Sequence, residues 1–506
     1  MNDNQRIAKN TFYLYIRMGM TLFVQFYTLR VVLKILGVND FGLWSVVTSF
    51  IVSFSFVSGP LTAATQRFLS FEMGLNGKRM NEIFNASLLL FMLIGVVLFL
   101  LLETVGVWFL NTQMSIVNDK ISIANWVFQF SIFSFIMSLI RMPYESAIIA
   151  IERMSFYAVL CIIESVLSLL MVYLLLLSMD MDKLILYGIL TFISKFVVTL
   201  CYKLYCAKNI LYTRFRLVWD TRLMMQIAEF SGWNLFGAMA STSSNQGVNV
   251  MINMFFGVVV NASYGIASQI GSGIKSFVDN FQKAANPQII KRYAVGEMES
   301  LHNLICTVSK YSFFLFFTLA CPVMLNMEFV LELWLGDIPF YTMSFCNLIL
   351  VQMLIVSLAS SMDTAVFATG KIRNYQIVLS VLIFLNVFFS YASFKMGFNP
   401  ISTFVVKCII EIFILIARLI FLKKMINLSL KRYVRKTLVP VVIIMCVTLG
   451  LMLGILNCMP EMTGWKRLWV TCTLFVFVYI FNIWFVGIGG QERILIKKWI
   501  NNKIKK

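Results

Sequence analysis

Residues 84–110 read FNASLLLFMLIGVVLFLLLETVGVWFL, and Ile83 to Leu102 carry no charge. A helix of about 20 apolar residues spans the roughly 30 Å hydrocarbon core of a bilayer. In lipid the backbone must satisfy its own hydrogen bonds, so a helix is the form such a run takes. Thirteen more segments follow the same pattern. They lie near 10–34, 41–65, 122–146, 155–178, 183–206, 226–256, 262–288, 304–327, 341–368, 374–394, 400–422, 437–458 and 467–488. The sequence predicts an all-α integral membrane protein with about fourteen transmembrane helices.

Composition points the same way. The 506 residues are 60% hydrophobic and only 13% charged. Soluble chains run near 45–50% apolar and 25% charged, so soluble enzymes, nucleic-acid binders and disordered scaffolds are excluded. The ten cysteines lie scattered in apolar runs, with neither zinc nor disulfide spacing. With His302 as the only histidine, no histidine-based metal site, proton relay or Ser-His triad is expected. Met1 to Asn10 is polar and runs into an apolar segment without a small-residue cleavage site, which reads as an uncleaved first helix.

Charge orients the helices. With the N-terminus in the cytoplasm, the N-terminus, even-numbered loops and C-terminal tail hold 29 Lys and Arg against six on the other side. This bias predicts both termini inside. Seven basic residues lie within apolar segments: Arg17, Arg30, Lys195, Lys275, Lys310, Lys407 and Arg418. Arg30, Lys195, Lys310, Lys407 and Arg418 read as side chains reaching back to the interface. Arg17, Lys275 and Asp279 lie where a charge needs a partner or a hydrated cavity.

An internal repeat is visible. Asn39-Asp40-Phe41-Gly42 opens the second segment and Asn261-Ala262-Ser263-Tyr264-Gly265 the eighth. Ala63-Ala64-Thr65-Gln66 and Ala284-Ala285-Asn286-Pro287-Gln288 close them. Six helices separate the copies, so both run the same way, as in parallel repeats about an axis along the membrane normal. The expected organisation is two pseudo-symmetric six-helix lobes around a central cleft, 1–206 and 226–424, joined by a cytoplasmic linker at 207–225. Two additional helices (437–488) and a basic cytoplasmic tail (489–506) follow. Gly450 and Gly454 in the thirteenth helix read as a site of intramolecular packing.

Polar side chains mark the expected lumen. Segment seven carries Asn234, Ser241, Asn245 and Asn249, the last three on one helix face. In segment two, Ser45, Ser49 and Ser53 form a stripe before a kink at Gly59-Pro60. Lys275 and Asp279, four apart, can form an ion pair. Arg17, Thr21 and Thr28 share a face of segment one. A permanent guanidinium there suits a phosphate, which it grips through two parallel hydrogen bonds.

Several blocks then look familiar: Asn10-Thr11, Leu14-Tyr15, Arg17, Tyr27-Thr28, Arg30-Val31-Val32-Leu33, Leu36-Gly37 and Asp40-Phe41-Gly42. Ala63-Ala64-Thr65-Gln66-Arg67-Phe68, Arg141-Met142-Pro143-Tyr144 and Ala368-Thr369-Gly370-Lys371 follow. Over nearly its whole length the chain resembles the bacterial polysaccharide transporters, the Wzx-type lipid-linked oligosaccharide flippases. That family shares a superfamily with the MATE exporters and the lipid II flippases. The resemblance implies a V-shaped pair of six-helix lobes in the bacterial inner membrane. It implies transport of a polyprenyl-diphosphate-linked glycan to the periplasmic leaflet for surface polysaccharide biosynthesis, with no covalent chemistry, no cofactor and no metal. Polysaccharide polymerase or assembly proteins are the implied partners, and nucleic acid is not one. The diphosphate falls to Arg17, then Arg30, Arg67 and Lys275, and the sugar to the polar lumen residues.

The rivals are a lipid II-type flippase, a MATE-like cation-coupled multidrug exporter and a membrane glycan polymerase or ligase. Glu145, Asp279 and Asp363 are the ion-coupling candidates under the exporter reading. Polymerases usually need a large outer loop, and none here exceeds about 15 residues. Neither Gly77-Lys78 nor Gly370-Lys371 is followed by Ser or Thr, which argues against a nucleotide phosphate loop.

Overall fold

The computed structural model describes residues 3–112, 118–177, 181–216, 219–458 and 464–487. The basic tail, residues 489–506, lies outside them. The described residues are almost entirely helical, with no strand among them. Twelve helices are long and apolar enough to cross a membrane. One of these, Thr221–Val295, breaks at Gly257 into two, and Ser402–Ile426 is a further 25-residue helix. All fourteen expected segments are therefore helices, and the chain is a multi-pass membrane protein. Most helices outrun the apolar runs: 41–65 extends to Gly74 and 262–288 to Val295. Hydropathy marks what lipid covers, while hydrogen bonding continues into the charged turns beyond it.

The chain divides into two compact units. The first is Met1–Met239 with Lys283–Glu297, the second Ala240–Gln282 with Met298–Lys506. Unit 1 contains α1 (Asp3–Val52), α2 (Ser58–Gly74), α3 (Met80–Leu101), α4 (Val107–Thr112), α5 (Ile121–Ala150), α6 (Met154–Leu177) and α7 (Lys183–Asn209). Both units share α8 (Thr221–Val295). Unit 2 continues with α9 (Met298–Leu325), α10 (Met327–Leu335), α11 (Thr342–Ser357), α12 (Ser360–Thr369), α13 (Arg373–Lys395) and α14 (Ser402–Ile426). It ends with α15 (Leu430–Tyr433), α16 (Val439–Cys458) and α17 (Gly464–Asn482).

The repeat has a backbone counterpart. Helix α1 turns at Gly37 (φ 77°, ψ 171°) and α8 at Gly257 (φ 81°, ψ 178°). This region of backbone space is open essentially to glycine alone. A Cβ at either position would meet nothing within 4 Å, so conformation, not packing, requires glycine there.

In unit 1, Val32, Val47, Leu102, Phe128, Val172 and Leu184 belong to a dry apolar cluster. The serine stripe is satisfied within its own helix. Ser45, Ser49 and Ser53 donate to the carbonyls of Phe41, Ser45 and Ser49 at 2.8, 2.5 and 2.9 Å. Helical structure then tightens to a 3₁₀ turn at Ser53–Val57, just before Gly59-Pro60.

In unit 2, α9 is the most buried span, and the two C-terminal helices pack on it. Lys310 of α9 donates to the Gly487 carbonyl at 2.8 Å. Gly487 ends a short π-helical stretch, Ile483–Gly487. A Cβ on Gly487 would come within 3.0 Å of Ile444 and Phe314. Gly450 and Gly454, by contrast, have open space where a side chain would stand, so among the described residues nothing packs closely on them.

Candidate functional sites: a cationic cluster and a polar cavity

The polar face of the first helix meets a polar face of α6, where Tyr157, Cys161 and Ser165 stand four apart. Arg17 donates to Tyr157 Oη at 3.0 Å and lies over its ring at 5.2 Å. It also reaches Cys161 Sγ at 3.8 Å. Ser165 donates to Thr21 at 3.5 Å. Lys283 Nζ approaches the same phenol at 2.8 Å and Glu145 Oε1 at 3.1 Å. A second carboxylate, Glu164, takes Arg141 at 2.9 Å and Lys195 at 2.6 Å. Arg141 in turn lies over the Tyr202 ring at 5.6 Å. Four basic side chains thus gather in unit 1 with two carboxylates and two phenols. Arg141 Nε is buried and has no hydrogen-bond acceptor among the described residues.

Sequence reasoning singled out Arg17 and Glu145 of this cluster, counted Arg141 and Lys283 among the 29 cytoplasmic-side charges, either as loop charge or as part of a cationic cavity with Arg67, and read Lys195 as an interface residue. It missed Tyr157 and Glu164 as site residues. The spacing of Tyr157, Cys161 and Ser165 was the available signal. Arg30 is exposed, about 20 Å along α1 from Arg17. Arg67 is buried among the rings of Phe68, Phe71 and Phe230, 4.6 to 5.8 Å from each. Another buried carboxylate of unit 1, Glu152, is engaged by Arg6, Gln288 and Lys291.

Unit 2 has a cavity of about 610 Å³. Three of the expected lumen residues, Ser241, Asn245 and Asn249, line it, as does Lys275. Asn234 falls in unit 1. Lys407 donates to Asn245 Oδ1 at 2.9 Å and Gln352 Nε2 to Glu411 at 3.0 Å. A smaller cavity of about 130 Å³ is lined by Asp279, Asp363, Lys275 and Arg418. Lys275 and Asp279 form the expected pair at 2.8 Å. Arg418 grips Asp363 with Nε at 2.8 Å and Nη2 at 3.2 Å, and Tyr375 also bonds Asp363. All three ion-coupling candidates are therefore engaged by cations.

Lys195, Lys310, Lys407 and Arg418 do not reach for the interface, as the sequence had suggested. Each bonds within the protein, because a partner at membrane depth replaces hydration without stretching the side chain. Among the described residues no cluster of His, Cys, Asp or Glu could hold a metal ion.

No family model matches the chain, and no curated protein does. Solved structures do. A MATE protein crystallised in complex with MaL6 is similar at TM-score 0.73 and 12% identity, over 84% of this chain and 97% of its own. A multidrug resistance MATE transporter of the MOP superfamily in an outward-facing conformation gives 0.73 and 12%, over 84% and 96%. A MOP superfamily transporter from Pyrococcus furiosus, whose binding pocket is described as reversed in polarity, gives 0.72 and 12%, over 84% and 97%. The fold is that of MATE transporters of the MOP superfamily.

Proposed function

We propose that the chain is a flippase. It moves polyprenyl-diphosphate-linked oligosaccharides from the cytoplasmic to the periplasmic leaflet of a bacterial inner membrane, for surface polysaccharide biosynthesis. The observation that carries this reading is the unit 1 cluster, where Arg17, Arg141, Lys195 and Lys283 surround two carboxylates and Arg141 Nε keeps an unused donor. A buried donor without an acceptor is costly. A diphosphate supplies charge-assisted acceptors, and guanidinium groups bind it with two parallel bonds. Arg17 and Arg141 would hold the diphosphate, with Lys195 and Lys283 as point charges beside them. Both termini face the cytoplasm in this reading, and the glycan polymerase is the downstream partner.

The test is a deletion strain. Completed lipid-linked repeat units should accumulate on the cytoplasmic side, by mass spectrometry, and surface glycan should be lost. Unchanged pools would overturn the reading. A second reading, a cation-coupled drug exporter, is favoured by the MATE fold of the neighbours. It predicts unchanged glycan and reduced drug efflux in the same strain.

A further inference from the structure

Two buried side-chain oxygens on residues that line the unit 2 cavity, Gln352 Oε1 and Asn386 Oδ1, have no hydrogen-bond donor among the described residues. The residues are only 5% and 3% exposed. The orientation of Gln352 is fixed by its neighbour. Glu411 accepts from the amide nitrogen at 3.0 Å, and a carboxylate has no use for the amide oxygen, so that oxygen must turn away. An acceptor held in place and left empty specifies what a ligand must bring, which is a hydrogen-bond donor.

The rest of the wall narrows the choice. A phosphate would suit the cations of the wall, Lys275, Lys407 and Arg418, but it would bring no donor to Gln352 Oε1 or Asn386 Oδ1. A cation would meet Lys275, Lys407 and Arg418 in the same wall. An apolar drug would leave both oxygens empty. A sugar hydroxyl both donates and accepts, so it can serve Gln352 or Asn386 and also accept from Lys407. Ile349 and Met353 offer apolar contact for the carbon faces of a sugar ring. The volume, about 610 Å³, suits a small-molecule pocket.

We propose that this cavity is a saccharide site, in which Gln352 and Asn386 accept from ligand hydroxyls and Glu411 is the residue that positions Gln352. The proposal deepens the flippase reading and rests on it for the class of substrate.

The experiment uses the purified full chain in nanodiscs. Its melting temperature is measured against galactose, rhamnose and N-acetylglucosamine, each titrated separately, with inorganic pyrophosphate as a probe of the unit 1 cluster. At least one sugar should raise the melting temperature. Its apparent affinity should fall about tenfold or more in Gln352→Leu and in Asn386→Leu, the loss expected for one well-made hydrogen bond. Pyrophosphate protection should persist in both. Asn386→Leu serves if Gln352→Leu misfolds, because its side-chain oxygen has no partner to lose. Glu411→Gln should weaken the sugar and spare pyrophosphate. The proposal is overturned if no sugar protects, or if protection survives both leucine variants. The flippase reading fails on a different result, unchanged lipid-linked glycan pools in the deletion strain.

Discussion

Lys283 bonds Glu145 at 3.1 Å across 138 positions of sequence, and it shares the Tyr157 hydroxyl with Arg17. One phenol therefore sits between a lysine and an arginine from helices far apart in the chain.

Arg17→Ala should abolish surface glycan while the protein still inserts, measured by glycan display and by membrane abundance. Arg17→Lys should keep part of the activity, because an ammonium lacks the planar fork. Tyr157→Phe removes the oxygen both cations approach and should fall between the two. Full export by Arg17→Ala would remove Arg17 from the site.

Asp279 separates the two transport readings. Its pair with Lys275 lies within one helix and is half exposed, so Asp279→Asn should cost only about 0.3–0.5 kcal/mol. Glycan display should be unchanged. A fall in drug efflux with intact glycan would instead support the exporter reading.

Arg418→Met should destabilise by roughly 2–4 kcal/mol, because it strands Asp363. The double variant Arg418→Met with Asp363→Leu should recover much of the loss. Thermal melts of the four proteins in one detergent measure the coupling. Additive losses would mean that the pair contributes nothing.

Gly37→Ala and Gly257→Ala should each cost about 1–3 kcal/mol through backbone strain alone. Gly42→Ala lies in ordinary helical backbone with open space for a Cβ, and it should be neutral or slightly stabilising. Equal melting temperatures for Gly37→Ala and Gly42→Ala would refute the conformational argument.

Much of the fold was legible because lipid imposes a simple rule on residues 84–110 and the segments like it. All fourteen segments are helical, but 341–368 breaks into two helices at Leu358-Ala359, and several ends were misjudged, since Glu72 and Arg292 lie in turns that hydropathy does not see. The sites were harder to read. Arg141 and Glu164 are 23 residues apart on different helices, and nothing local shows that they meet. Arg418 and Asp363 are 55 apart and looked like an interface residue and a coupling carboxylate. Intrahelical relations such as Lys275 with Asp279 could be read, because helix geometry fixes them. Pairing between helices depends on packing that one sequence does not display.

Gly37 and Gly257 stand 220 positions apart in matching turns. A chain whose likeness to its neighbours is 12–17% in sequence offers few fixed points for comparison. These two glycines supply a pair, because no other residue can take their backbone angles. They form an anchor for superposing one half of the molecule on the other. Laid on that anchor, a residue tested in one half names its counterpart to test in the other, whether or not the two side chains still match.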